Sequence, residues 1–97
     1  MNQLLTETNQ LEIAINETPQ VRAVKENGYS IRYINNPSEY IKELAVKQNG
    51  CAIKHIDNPS EKIQELAVKQ NGCAIQYINN PSEKIRKLTL ILHPEMI

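Results

Sequence analysis

The chain has no tryptophan and no phenylalanine, and four tyrosines are the only aromatics among its 97 residues. An aromatic-centred core is excluded, so Ile, Leu, Val and Ala must fill the interior. It has only three glycines, each following an asparagine (Asn27-Gly28, Asn49-Gly50, Asn71-Gly72). That leaves no glycine-rich loop to cradle a phosphate. It lacks net charge too: eleven Lys and Arg balance eleven Asp and Glu. Neither long-range attraction of nucleic acid nor acidic mimicry of it follows from such a balance. No stretch approaches the ~18 apolar residues of a membrane span, and the start has neither a basic region nor an apolar one. The expectation is a cytoplasmic protein with no membrane association. At this length, roughly 60–65% of the unfolded surface is buried on folding, enough for one small domain.

What the chain has instead is repetition. Asn-Pro-Ser-Glu occurs at 36–39, 58–61 and 80–83, and Ala-Val-Lys-Gln-Asn-Gly at 45–50 and 67–72. The period is 22 residues. A unit this short cannot bury its own apolar face, so successive units must stack. Within the unit from Asn58 to Asn79, Asn58 reads as an N-cap, Pro59 as the first helical residue and Glu61 as the third, completing a capping box. A long helix over about 59–70 then places Ile63, Leu66 and Ala67 inward, flanked by Val68. Gly72 is expected to end it in a left-handed cap. A short helix, Cys73 to Ile78, follows with Ala74, Ile75 and Ile78 inward. A β-strand over the Ala-Ile segment is the rival, disfavoured because Ile53 and Ile56 lie three apart rather than two.

The fold class is therefore all-α: a short solenoid of long-helix/short-helix repeats with a degenerate N-terminal cap. Residues 1–97 form one domain, divided into a cap and partial repeat (1–26), a short helix and turn (27–36), full repeats (37–58 and 59–80) and a terminal helix and tail (81–97). Thr18-Pro19 reproduces the cap signal, with the first long helix short by about a turn, and residues 10–16 read as a lone short helix. In the last repeat Ala67-Val68-Lys69-Gln70 becomes Thr89-Leu90-Ile91-Leu92, and Asn-Gly becomes His93-Pro94. A terminal repeat should be polar outward, so Leu90, Ile91, Leu92, Met96 and Ile97 are expected to form a homodimer interface, or to be covered by the tail folding back.

Catalysis finds little support. Cys51 and His55 lie four apart, but the same slots hold Tyr29 and Tyr33 one unit earlier and Cys73 and Tyr77 one unit later. Residues without shared chemistry do not make a site, and a zinc ion would lack its other ligands. No enzyme activity, cofactor or metal is expected. Cys51 and Cys73 should be held one interhelical spacing apart, ~8–10 Å, beyond disulfide reach, and remain free thiols. His93 reads as a helix C-terminal residue.

Two surfaces are candidates for binding. Arg32-Tyr33, Lys54-His55 and Gln76-Tyr77 form a ladder on the short helices, fit for an acidic peptide or, less well with two cations, a nucleic-acid strand. On the long helices Tyr40, Lys62 and Lys84 align, as do Lys42, Gln64 and Arg86, and Glu43, Glu65 and Lys87. Tyr40 is the one aromatic in its column and the anchor candidate there.

The Asn-Pro-Ser-Glu cap, the Ala-Val-Lys-Gln-Asn-Gly run and the Ala-Ile-x-x-Ile short helix together resemble a repeat family of uncharacterised function found in bacterial, phage and giant-virus proteins. The likeness covers about residues 18–92. The pattern is also similar to the leucine-rich-repeat-variant solenoids, which alternate a long helix with a short, often 3₁₀, one. The resemblance implies a right-handed α-solenoid with a protein-binding role and no catalytic residues. It further implies, as a specific reading, a small phage-encoded antagonist of host defence, anti-CRISPR in kind, acting by steric occlusion in the host cytoplasm. The alternatives are a housekeeping bacterial adaptor or scaffold, and a weak nucleic-acid binder through Arg32, Tyr33, Lys54, His55 and Tyr77.

Overall fold

The structure, a computed structural model, describes residues 18–96. The short helix expected over 10–16 and the terminal Ile97 lie outside the described residues, as does the side chain of Met96. The order is α1 (Pro19–Glu26), the 3₁₀ helix η1 (Gly28–Tyr33), α2 (Glu39–Gln48), η2 (Gly50–His55), α3 (Glu61–Gln70), η3 (Gly72–Tyr77), α4 (Glu83–Leu92) and η4 (Pro94–Met96). Among the described residues there is no strand, so the Ala-Ile segments are helical and the strand reading is overturned. Long helices pack side by side along one layer and 3₁₀ helices along the other, as expected of an α-solenoid.

The long helices α2, α3 and α4 each start two residues later than the cap signal implies. Ser38, Ser60 and Ser82 adopt extended backbone and accept from Ile41, Ile63 and Ile85 N–H at 3.2, 3.3 and 3.2 Å. The asparagine cannot cap, because Asn36, Asn58 and Asn80 sit at φ 49°, 47° and 50°, in the left-handed region that asparagine tolerates better than most residues. Glu61 is therefore the first helical residue rather than the third. It contributes charge at the positive end of the helix dipole instead of closing a capping box. Thr18 occupies the serine slot, accepting from Val21 N–H at 3.2 Å. Read in that register, α1 has 8 residues against 10 in α2, a deficit of two rather than a full turn.

The helix stop also differs from the expected left-handed glycine. No described glycine has positive φ. Asn27, Asn49 and Asn71 do the turning in extended conformation. Each donates its N–H to the alanine carbonyl four residues back at 2.9 Å, while its side-chain oxygen accepts from the residue two ahead and so caps the 3₁₀ helix. Glycine follows for lack of room. A Cβ on Gly28 would stand 2.3 Å from the Ala45 carbonyl oxygen of the next repeat, and one on Gly50 equally close to that of Ala67. At that approach the glycine N–H is reached by the next repeat's glutamine: Gly28 donates to Gln48 Oε1 at 2.6 Å and Gly50 to Gln70 Oε1 at 2.5 Å. The Lys-Gln-Asn-Gly motif is thus a key between neighbouring repeats.

The core repeats with the same period. Val24, Val46 and Val68 are fully buried, as are Ala45, Ala67, Ala52 and Ala74, and Ile63 and Ile85. Burial of each such Val or Ile contributes about 1.5–3 kcal/mol. Leu66, expected inward, is only partly buried and Val68 takes the central place. Ile31 and Ile53 are buried, whereas their counterpart Ile75 in η3 is only partly buried.

Candidate protein-interaction surfaces

The 3₁₀ layer carries the predicted ladder, joined differently from the row-by-row pairing. Arg32 lies 4.6 Å over the Tyr33 ring and donates to its hydroxyl, so this pair does stay within one repeat. Lys54 reaches across repeats: its Nζ stands 4.9 Å from the centroid of Tyr29 and 5.7 Å from that of Tyr77. His55 meets Tyr29 edge to face, with centroids 5.8 Å apart. Burial, then the neighbouring Lys54 and Arg32 charges, holds the His55 imidazole below its usual pKa. Tyr29 is the member that sequence reasoning missed, since its slot is elsewhere occupied by Cys51 and Cys73. The signal was available in the spacing: 22 plus one helical turn separates Tyr29 from His55. Tyr33 is 73% exposed and Tyr77 40%, so the ladder presents ring surface to solvent.

Beside the ladder run two grooves of the same construction. One is lined by Arg32, Asn35, Asn36, Lys42, His55 and Ile56, among others. The second is lined by Lys54, Asp57, Asn58, Gln64, Tyr77 and Ile78, each 22 residues further on. All ten lining positions correspond in this way. In the second groove Gln64 donates to the Pro59 carbonyl at 3.0 Å.

The outer long-helix layer is stitched by charge. Lys62 pairs with Glu43 at 2.5 Å, and Lys84, one period on, with Glu65 at 3.7 Å and Glu61 at 3.6 Å. The Lys62 contact holds the Glu43 carboxyl below the ordinary carboxylate range and raises the Lys62 ammonium. Lys87 pairs with Glu83 at 3.2 Å, and Ser60 donates to Glu39 at 2.7 Å. Tyr40 sits in the lysine slot of this pattern, and Val21 in the glutamate slot. Tyr40 shares a shallow hollow with Val21 and Ile41 and is 49% exposed. The aromatic thus stands opposite an apolar residue where Lys62 and Lys84 face Glu43 and Glu65.

At the C-terminal end Leu90, Ile91 and Leu92 are 46%, 74% and 44% exposed. Leu90 fills the slot in which Val46 and Val68 are fully buried. Leu92 replaces the key glutamine, and His93, the C-cap of α4, locks the helix instead: its Nε2–H donates to the Val68 carbonyl at 2.7 Å, with Nδ1 3.5 Å from Glu95. Met96 and Ile97, the remaining interface candidates, fall outside the described side chains. Cys51 and Cys73 are free thiols, the former accepting from Asn71 at 3.6 Å. Among the described residues no cluster of His, Cys, Asp and Glu could hold a metal, and no helix is long and apolar enough to cross a membrane. No family model, curated protein or solved structure matches the chain.

Proposed function

We propose that the chain is a non-enzymatic protein-binding module whose 3₁₀ layer is the contact surface. The observation that carries this reading is the ladder itself. Exposed rings at Tyr33 and Tyr77 lie against cations that aromatic contacts hold in place, Arg32 on Tyr33 itself and Lys54 between Tyr29 and Tyr77. Aromatic and arginine side chains are the usual anchors of protein interfaces, and cations fixed before binding lose less entropy on contact. The specific form proposed is a small inhibitor that covers an effector or nuclease surface, as an anti-CRISPR protein would; a bacterial adaptor is the alternative. The test is capture from host lysate on immobilised chain. A partner retained by the wild type and by Arg86→Ala, but lost from Tyr33→Ala/Tyr77→Ala, supports the reading. Retention by the tyrosine variant contradicts it.

The exposed Leu90, Ile91 and Leu92 favour a second reading, a homodimer formed end to end. Light scattering of wild type against Ile91→Lys/Leu92→Gln tests it: the wild type should be dimeric and the variant monomeric. A monomeric wild type at high concentration removes the dimer.

A further inference from the structure

We propose that the paired grooves beside the ladder bind an extended, acidic peptide segment in polyproline II conformation, with a carboxylate at every third residue. This rests on the protein-binding reading and names the chemistry of the partner. The two grooves are translational copies: Arg32, His55 and Lys42 in the first correspond to Lys54, Tyr77 and Gln64 in the second. Each therefore offers one cation from a 3₁₀ helix, one planar ring from the next repeat, and amides from the intervening turn. A ligand that fills both must present like groups at the spacing of the repeats.

That spacing selects the ligand's backbone. Packed helices lie ~8–10 Å apart. A polyproline II helix has three residues per turn and rises about 3.1 Å per residue, so residues i and i+3 face the same way about 9.3 Å apart. A β-strand returns to the same face every two residues, about 6.6–6.8 Å, and falls out of step. Aromatic-lined grooves are an established seat for polyproline II segments, whose low entropy lowers the cost of binding. Exposed amides at Asn35, Asn36 and Asn58 can serve the solvated backbone of such a segment.

Charge selects the side chains. The grooves hold Arg32, Lys42 and Lys54 against one carboxylate, Asp57, which lines both. A chain without net charge thus has a locally positive strip here. On the outer layer, by contrast, Lys62, Lys84 and Lys87 are each matched by a glutamate.

Fluorescence anisotropy with a labelled peptide of tandem Glu-Pro-Pro units and the full chain tests the proposal. The peptide is expected to bind. A Gln-Pro-Pro peptide and a Glu-Pro peptide, with its carboxylate at every second residue, should each bind more weakly. Arg32→Gln and Lys54→Gln should each weaken binding roughly fivefold, while Lys54→Arg retains it and Lys87→Gln leaves it unchanged. Circular dichroism establishes that each variant is folded. Equal binding of the three peptides, indifference to both cation variants, or preferential binding of a single-stranded oligonucleotide overturns the proposal. Absence of peptide binding alongside tyrosine-dependent capture of a lysate partner defeats it but leaves the protein-binding reading standing; absence of both defeats both.

Discussion

The two layers of the solenoid obey the same period yet use their cations in opposite ways. On the long helices Lys62 and Lys84 reach back to Glu43 and Glu65, satisfying charge with charge inside the molecule. On the 3₁₀ layer Lys54 and Arg32 rest on tyrosine rings, which hold the side chains in place while leaving the positive charge uncancelled. An ion-paired layer has little left to offer a ligand, whereas a ring-supported one is preorganised to receive one. The difference comes from which residue stands opposite each of these cations: a glutamate of the preceding repeat on one layer, an aromatic on the other.

The comparison depends on the repeats staying in register, and the most damaging changes are to the key between them and to their shared core. Gly50→Ala drives a methyl into the Ala67 carbonyl and should lower stability by about 2–4 kcal/mol in urea unfolding, disturbing both layers together. Ile63→Ala, in the shared core, should cost a comparable 2–5 kcal/mol by the same measurement. If Gly50→Ala unfolds like wild type, close approach is not what demands glycine.

Changes confined to one layer should separate the two. Lys54→Met removes the cation between Tyr29 and Tyr77 and should weaken partner capture severalfold while leaving the fold intact. Lys62→Met, one layer away, should leave capture unchanged. Equal loss in both would erase the functional contrast.

The smallest effect expected is on pH dependence. Folding lowers the His55 pKa from 6.5, so the unfolded chain takes up the proton first as pH falls. Stability should therefore decline as pH drops below about 6.5, and His55→Gln should remove that component of the slope in thermal melts at pH 5 to 7.5. A slope identical in both proteins would contradict the lowering of the His55 pKa by burial and the neighbouring charges.

The repeat, the all-helical class and the inward Ile and Ala positions were legible because a 22-residue period and 3.6-residue spacing leave few alternatives. The cap was misplaced because Asn58 and Ser60 are both good capping residues, and only backbone angle separates them. The role of Gly50 was hidden for a related reason. A glycine after asparagine signals a left-handed turn, while contact with a carbonyl 17 residues away leaves no local mark. Of the ladder, Arg32, Tyr33, Lys54, His55 and Tyr77 were read from their shared slots. Tyr29 was not, because it enters diagonally from a slot that the other repeats give to cysteine. The stitching of Glu43 to Lys62 escaped for the same reason, since columns at equal phase hide contacts between columns.

The most direct test is to map amide shift changes in the isotope-labelled chain as a captured partner, or the Glu-Pro-Pro peptide, is titrated in. Perturbations should concentrate in η1, η2, η3 and the turns that follow them, with Tyr29, Lys54 and Tyr77 among the largest. Perturbations confined to the outer residues of α2, α3 and α4 would contradict the assignment of binding to the 3₁₀ layer.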